Sequence, residues 1–489
     1  MVSGRIEMTS FWRGRRACLA LLGVVIAVVS SSRMAHAQEA AAQQEAYDNA
    51  TSTRNDGITG LSIANSLPDR GDPYGTRAAF ARWGISTDVI YTGELLSNVR
   101  GGLRRGSLYG SKLEANIAAD LNKLLGLSGL SFYSNAFQLA QSKGVSRTFV
   151  GNLNTLSAIE AIPTTRLSEV WLEQKLYGGL VSIRAGQLAA DTEFTIANYS
   201  LPFITSDWPG IFANNLPGGG SAYPLSTPGI RVKITPDKQN SFLFGVYDGD
   251  PAGRGPIEPE VRNRHGTNFR MKDPAFLIAE YQHRYNQDDK DTGLAGIVRL
   301  GGWNHLGRFN DQYRDGNGTP LTSSLSTGVA GRYRGDYGLY GILDQQLWRP
   351  EGGTSDDGLA MFTRLFISPS QRNLIGLFWD AGLLASGMVP GRPKDKVGVT
   401  FLYAQLGRDA ARYDREVLSQ AGLYRGTTPS ELSLEFSYVA EVVTGWTVQP
   451  NVSYVIRPGG GHARVQPNGT VQAPPKDALV FGLRTTVVY

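Results

Sequence analysis

Charged side chains recur on one parity of a series of short segments. Glu94 is the first, followed by Glu169, Glu173 and Lys175, then Arg184, Arg231 and Lys233, and later Glu280, Arg299, Asp344 and Arg364. Acids and bases mixed in this way suit a neutral, hydroxyl-rich solute, whose rim can be met by many weak hydrogen bonds that release as easily as they form. The connection 191–223 carries Asp191, Glu193, Trp208 and Phe212, and a loop longer than about 15 residues is usually functional. Folded inward it would narrow a passage; folded outward it would only shield one. For each charge the plainer reading is an ordinary solvated wall residue.

Catalytic chemistry fits less well. Beyond residue 37 the histidines are His265, His283, His305 and His462, with no H-E-x-x-H pattern, no cysteine ligand and no pair at i, i+4. No nucleophile elbow or Walker-type loop is present. Glu169 and Glu173, four apart on a strand, stand about 13 Å from each other, beyond the separations paired carboxylates use on glycosides. The expectation is therefore no enzyme, no metal and no cofactor. A barrel-borne hydrolase using His283 and a secreted sugar-binding β-protein are the alternatives from other classes.

The elements that position these residues are strands. In Lys112–Leu121, Lys112, Glu114, Asn116 and Asp120 fall on one parity and Leu113, Ala115, Ile117, Ala119 and Leu121 on the other; Glu431–Val442 repeats the pattern. Period 2 places the two sets on opposite faces. Noisier segments of the same kind lie at 86–99, 129–140, 166–177, 180–188, 229–235, 241–249, 275–285, 294–305, 329–348, 358–368, 373–385, 396–407, 446–457 and 477–489, for sixteen in all. With 59 Gly, 48 aromatic residues and a mean hydropathy of −0.21, the chain reads as ordered and β-rich.

Arg13, Arg15 and Arg16 precede the apolar run 17–29, which closes on Ala35-His36-Ala37, the layout of a cleaved secretory signal over 1–37. Five of the 48 Lys and Arg and one of the 43 Asp and Glu lie in it, so the rest is within one charge of neutral. That balance removes the case for nucleic acid as a partner. Cys18, the only cysteine, would leave with the signal, so no disulfide would hold the exported fold. Residues 38–83 read as a mobile lead-in ending in a short helix over Thr76–Trp83, and 84–489 as the body. An exported chain with an even number of strands of about ten residues, and no long apolar run outside the signal, predicts a closed transmembrane β-barrel. Its final strand ends on the aromatic Tyr489, and Tyr91, Trp171, Tyr177, Tyr281, Trp303, Trp348 and Trp446 are candidates for interfacial girdles.

Several stretches resemble the OprB-type carbohydrate-selective porins: TGELLSNVRGG (92–102), LNKLLGLSGLSFYSNAFQ (121–138), TRLSEVWLEQKLYGGLVSIRAGQL (165–188), PGIRVKITP (228–236), FLFGVYDGDP (242–251) and GLYGILDQQLWRPEGG (338–353). The resemblance covers most of 71–489. It implies a sixteen-stranded barrel in the bacterial outer membrane, surrounded by lipid and lipopolysaccharide, through which monosaccharides or short oligosaccharides diffuse. Homotrimers are common among such porins. The runner-up function is general diffusion of small hydrophilic solutes.

Overall fold

The computed structural model describes Ile58 and residues 61–140, 144–205, 208–288, 291–426, 428–466 and 468–489. The expected export segment 1–37 lies outside them, as does most of the lead-in. Sixteen antiparallel strands close into one barrel: β1 (Ile85–Gly102), β2 (Gly106–Asp120), β3 (Leu130–Ala140), β4 (Thr164–Leu176), β5 (Val181–Leu188), β6 (Thr227–Ile234), β7 (Asn240–Tyr247), β8 (Phe276–Tyr285), β9 (Gly296–Asp315), β10 (Ala330–Trp348), β11 (Gly358–Ile367), β12 (Ile375–Ser386), β13 (Lys396–Leu406), β14 (Ser430–Val443), β15 (Trp446–Ile456) and β16 (Lys476–Val488). Each strand pairs with its neighbours in sequence, and β16 closes on β1 through Ile90↔Val488, Gly93↔Thr485 and Ser97↔Phe481. Closure leaves no unpaired edge in hydrocarbon, where each unsatisfied backbone group costs several kcal/mol.

The sixteen expected strands match the sixteen observed, most of them to within two or three residues at each end. β9 differs most, running to Asp315 rather than 305. In its upper half Leu306, Arg308 and Asn310 point outward while His305, Phe309 and Tyr313 are buried inside. Beyond Leu306 the outer face lies above the apolar band, so the alternation changes sign and the signal fades.

Short turns join the strands at the end holding Tyr489, as at Thr444-Gly445, and long connections lie at the other, which makes the Tyr489 end periplasmic. A helix over Thr76–Arg82 packs there: Arg77 lies 4.8 Å from the Tyr489 ring centroid, and the Tyr489 hydroxyl donates to the Gly71 carbonyl. Tyr177, Trp348 and Trp446 are exposed at this end, as an interfacial girdle requires. Trp171 and Trp303 are not girdle residues. Both face inward, the first into the lumen and the second, 4% exposed, into a core.

That core lies inside the barrel. The connection 189–226 folds in and places Phe194, Phe203, Trp208, Ile211, Phe212 and Leu216 against inward residues of β7 to β13, among them Phe276, Trp303, Tyr340, Phe362, Phe366 and Phe378. Its short helix Gly210–Asn215 centres the cluster: the Phe212 ring stacks on Trp208 at 4.5 Å and meets Trp303, Phe366 and Phe276 edge-on at 5.5, 5.6 and 6.4 Å. Burying each such side chain stabilises the arrangement by about 1.5–3 kcal/mol. A second segment, 144–163, also folds in and packs Val145, Phe149, Val150 and Leu156 on Leu96, Val455 and Val480. Sequence reasoning identifies the first infolded segment and misses the second, which is shorter and interrupted by Gly, Asn and Pro.

Candidate functional site

Irregular backbone inside a barrel carries N–H and C=O groups that no ladder satisfies, and burying them unpaired is costly. The wall supplies the missing acceptors as carboxylates. Glu280 accepts from the Thr195 amide at 2.9 Å, Asp344 from the Asn198 and Tyr199 amides at 2.9 and 3.1 Å, and Glu435 from Ile204 and Thr205 at 2.9 and 3.3 Å. Glu431 holds the second segment, accepting from Leu153 and Asn154 at 2.6 and 2.9 Å. Guanidiniums serve the carbonyls: Arg364 donates to the Thr195 carbonyl at 3.1 Å while gripping Asp380, and Arg299 pairs with Asp344 at 2.6 Å and donates to the Asn198 side chain at 2.8 Å.

Most of the charges expected to line a solvated passage are therefore buried under the infolded segments. Glu94 accepts from the Ser157 hydroxyl at 2.5 Å and pairs with Arg484, which donates to the Ile204 carbonyl at 3.2 Å. Glu169 accepts the Ala189 amide at 2.9 Å, where the infolded segment begins. It lies beside a bulge that sets Ser168 and Glu169 together opposite Asn135 on β3. Glu280, Arg299 and Arg364 act as the staples described above. Trp208 belongs to the inner core, its indole N–H donating to the Gly219 carbonyl at 2.9 Å. Asp191 accepts the Tyr223 amide at 2.8 Å and so ties the two ends of the connection together. Lys175 is exposed at the periplasmic end of β4, and Lys233 is half-buried on β6.

Four of the predicted residues do meet. Arg184 bridges Glu173 at 2.9 Å and Glu193 at 3.3 Å; Arg231 bridges Glu193 at 2.8 Å and Glu173 at 3.3 Å. Three strands and the infolded segment are joined by this neutral quartet. Burial pushes the Glu193 carboxyl up, but the Arg184 and Arg231 guanidiniums outweigh it and hold the group below the usual carboxylate range.

The wall beside this quartet, from β1 to β5, is differently built. Arg184 lies 3.7 Å over the Trp171 ring centroid, and Trp171 stacks on Tyr133 at 4.9 Å with an interplanar angle of 26°. The Tyr133 hydroxyl donates to Asn116 at 3.0 Å, and the Asn116 amide donates to Asp88 at 2.6 Å. Lys112 pairs with Glu114 at 2.8 Å and sits 4.9 and 5.4 Å from the Phe137 and Tyr223 rings. Trp171, Tyr133 and Arg184 are only half-buried, and a cavity lined by Tyr133, Trp171, Ser131, Ser86 and Asp120 opens towards the short-turn end. Planes for stacking and a row of donors and acceptors thus run side by side from β1 to β5. Sequence reasoning omits Tyr133, Asn116, Asp88, Glu114 and Lys112 from the site. The parity that Trp171 shares with Glu169 and Glu173 is the signal that puts it in the lumen; residue type alone points to a girdle.

A sixteen-stranded barrel with short turns at one end and infolded segments narrowing its lumen is an outer-membrane porin. Residues 104–489 match the carbohydrate-selective porins of the OprB family, and the chain belongs to that family. It is thus a porin of the bacterial outer membrane for the passive diffusion of carbohydrates. Porin B of Pseudomonas aeruginosa is 24% identical over 406 residues, covering 80% of this chain and 87% of that protein. The high-pH structure of Pseudomonas putida OprB superposes with a TM-score of 0.73 at 22% identity, covering 86% of this chain and 98% of that one. The low-pH structure of the same protein gives 0.50 at 17%, covering 86% and 97%.

Proposed function

We propose that this chain conducts monosaccharides and short oligosaccharides along the β1 to β5 wall, with Trp171, Tyr133 and Arg184 as the stacking surface. The carrying observation is the Arg184–Trp171–Tyr133 ladder beside the Asn116–Asp88 and Lys112–Glu114 row. A sugar ring has apolar C–H faces and a rim of hydroxyls. Stacked rings meet the first, and paired donors and acceptors meet the second. Because the charges in the row are already paired, no single site holds the solute tightly, and release stays fast. The connection 189–226 fills the β7 to β13 side of the lumen and so confines the solute to this wall, while 144–163, packed on Leu96 of β1, narrows the lumen further. A homotrimer belongs to the same reading, tested by the mass of the detergent-solubilised assembly.

Proteoliposome swelling tests the selectivity. Glucose and maltose should enter faster than gluconate and other charged solutes of equal size. Rates ordered by size alone would favour a general diffusion porin.

A further inference from the structure

Inside the barrel, the arginines at the heart of the wall have carboxylate partners: Arg299 has Asp344, Arg364 has Asp380 and Arg231 has Glu193. The outer face of the β9–β10 hairpin is the reverse. Arg308 and Arg334 stand directly opposite each other across the ladder, and Arg332 is paired in register with Asn310. All three are exposed, and no ion pair joins any of them to a carboxylate among the described residues. The acids of this hairpin, Asp311, Asp315, Asp336 and Asp344, all point inward and are buried. Like charges directly opposite on a sheet are destabilising, so the cluster calls for an anion from outside the chain.

Its height says which anion. On β10 the outward residues run from Leu347 through Leu343 and Leu339 to Tyr337, and the arginines follow immediately; on β9, Arg308 follows Leu306. Ten residues of a strand tilted by about 45° rise about 24 Å, close to the ~25 Å apolar band of an outer-membrane barrel. The guanidiniums therefore sit at the headgroup level of the outer leaflet, facing lipid.

We propose that Arg308, Arg332 and Arg334 form a binding site for the phosphate groups of a phosphorylated glycolipid of the outer leaflet, its acyl chains lying on Leu306, Tyr337 and Leu339. Guanidinium forks match phosphate oxygens bidentately, and each basic side chain at a membrane surface strengthens attraction to anionic lipid. The site acts in anchoring and is separate from the solute path.

The test uses the full-length processed protein in nanodiscs of zwitterionic phospholipid, titrated with bisphosphorylated lipid A and with the same glycolipid after phosphate removal, binding being read by native mass spectrometry. Wild type should bind the phosphorylated form at least about tenfold more tightly, and the Arg308→Gln/Arg332→Gln/Arg334→Gln variant should lose that preference while keeping wild-type single-channel conductance. Should the triple variant not fold, Arg334→Gln alone must still weaken phosphorylated lipid binding. Equal affinity of wild type for the two glycolipids, or undiminished preference in the variant that folds, would overturn the proposal. Displacement of the lipid by millimolar inorganic phosphate would overturn it too, by assigning the site to the free ion.

Discussion

Two halves of one lumen use the same strand alternation for opposite ends. From β7 to β13 the inward positions that meet 189–226 are largely apolar, Phe, Tyr, Trp and Ile among them, and Glu280, Asp344 and Arg364 bond its backbone. From β1 to β5 the inward positions are mixed. Glu94, Leu96, Phe137, Leu139 and Glu169 are buried, whereas Asp88, Lys112, Glu114, Tyr133 and Trp171 are aromatic planes and polar side chains that bond or stack within the wall and stay half-open. Glu280, Asp344 and Glu435 are staples because a segment folds over them, Lys112 and Glu114 on the same parity bond to each other within the wall, and Arg184 does both, pairing with Glu193 and lying over Trp171. Parity alone does not separate the two roles.

The filled half should respond most strongly to substitution. Phe212→Ala removes the ring on which Trp208, Phe276, Trp303 and Phe366 converge, at a cost of about 3–5 kcal/mol. Single-channel conductance should rise and 189–226 should become cleavable by protease, with the barrel intact. Glu280→Ala comes next. It leaves the Thr195 amide and the Tyr340 hydroxyl without their acceptor, at about 1–3 kcal/mol each, and should raise current noise more than mean conductance.

The smaller infolded segment sharpens the comparison through pH. Burial pushes the Glu160 carboxyl up to about 8 despite hydrogen bonds from the Ser146 amide and hydroxyl. With its folded value above its unfolded one, the group favours the folded segment most at acid pH, and that contribution is lost as pH rises from the ordinary carboxylate range through about 8. Amide exchange in 144–163 should speed up by about tenfold or more across that window, and Glu160→Gln should flatten the profile. At the small end, Lys175→Ala, on an exposed strand end, should shift stability by no more than about 0.5 kcal/mol and leave sugar passage unchanged in swelling assays.

The barrel was legible in the sequence because its period of 2 survives wherever one face meets lipid and the other does not. Segments such as Lys112–Leu121 and Glu431–Val442 carry that contrast without interruption. The site was legible only in part. Glu173, Arg184, Arg231 and Glu193 are joined because 166–188 and 229–235 are consecutive strands and Glu193 follows directly. The burial of Glu94, Glu169, Glu280, Arg299 and Arg364 depends on where two irregular segments come to rest. No local pattern encodes that, since their partners lie far off in sequence, as Thr195 does from Glu280 and Ser157 from Glu94. Tyr133 and Asn116 are ordinary strand residues until register brings them beside Trp171 and Asp88.

The most direct test of the division between a filled half and a conducting wall is the single-channel current of wild type and Trp171→Ala in planar bilayers, titrated with glucose and then maltose. The account predicts saturable sugar block in wild type and, in the variant, block weakened by about tenfold, near 1.4 kcal/mol, with the open-channel conductance preserved. Sugar block of unchanged strength in Trp171→Ala would contradict it and move the solute path away from the β1 to β5 wall.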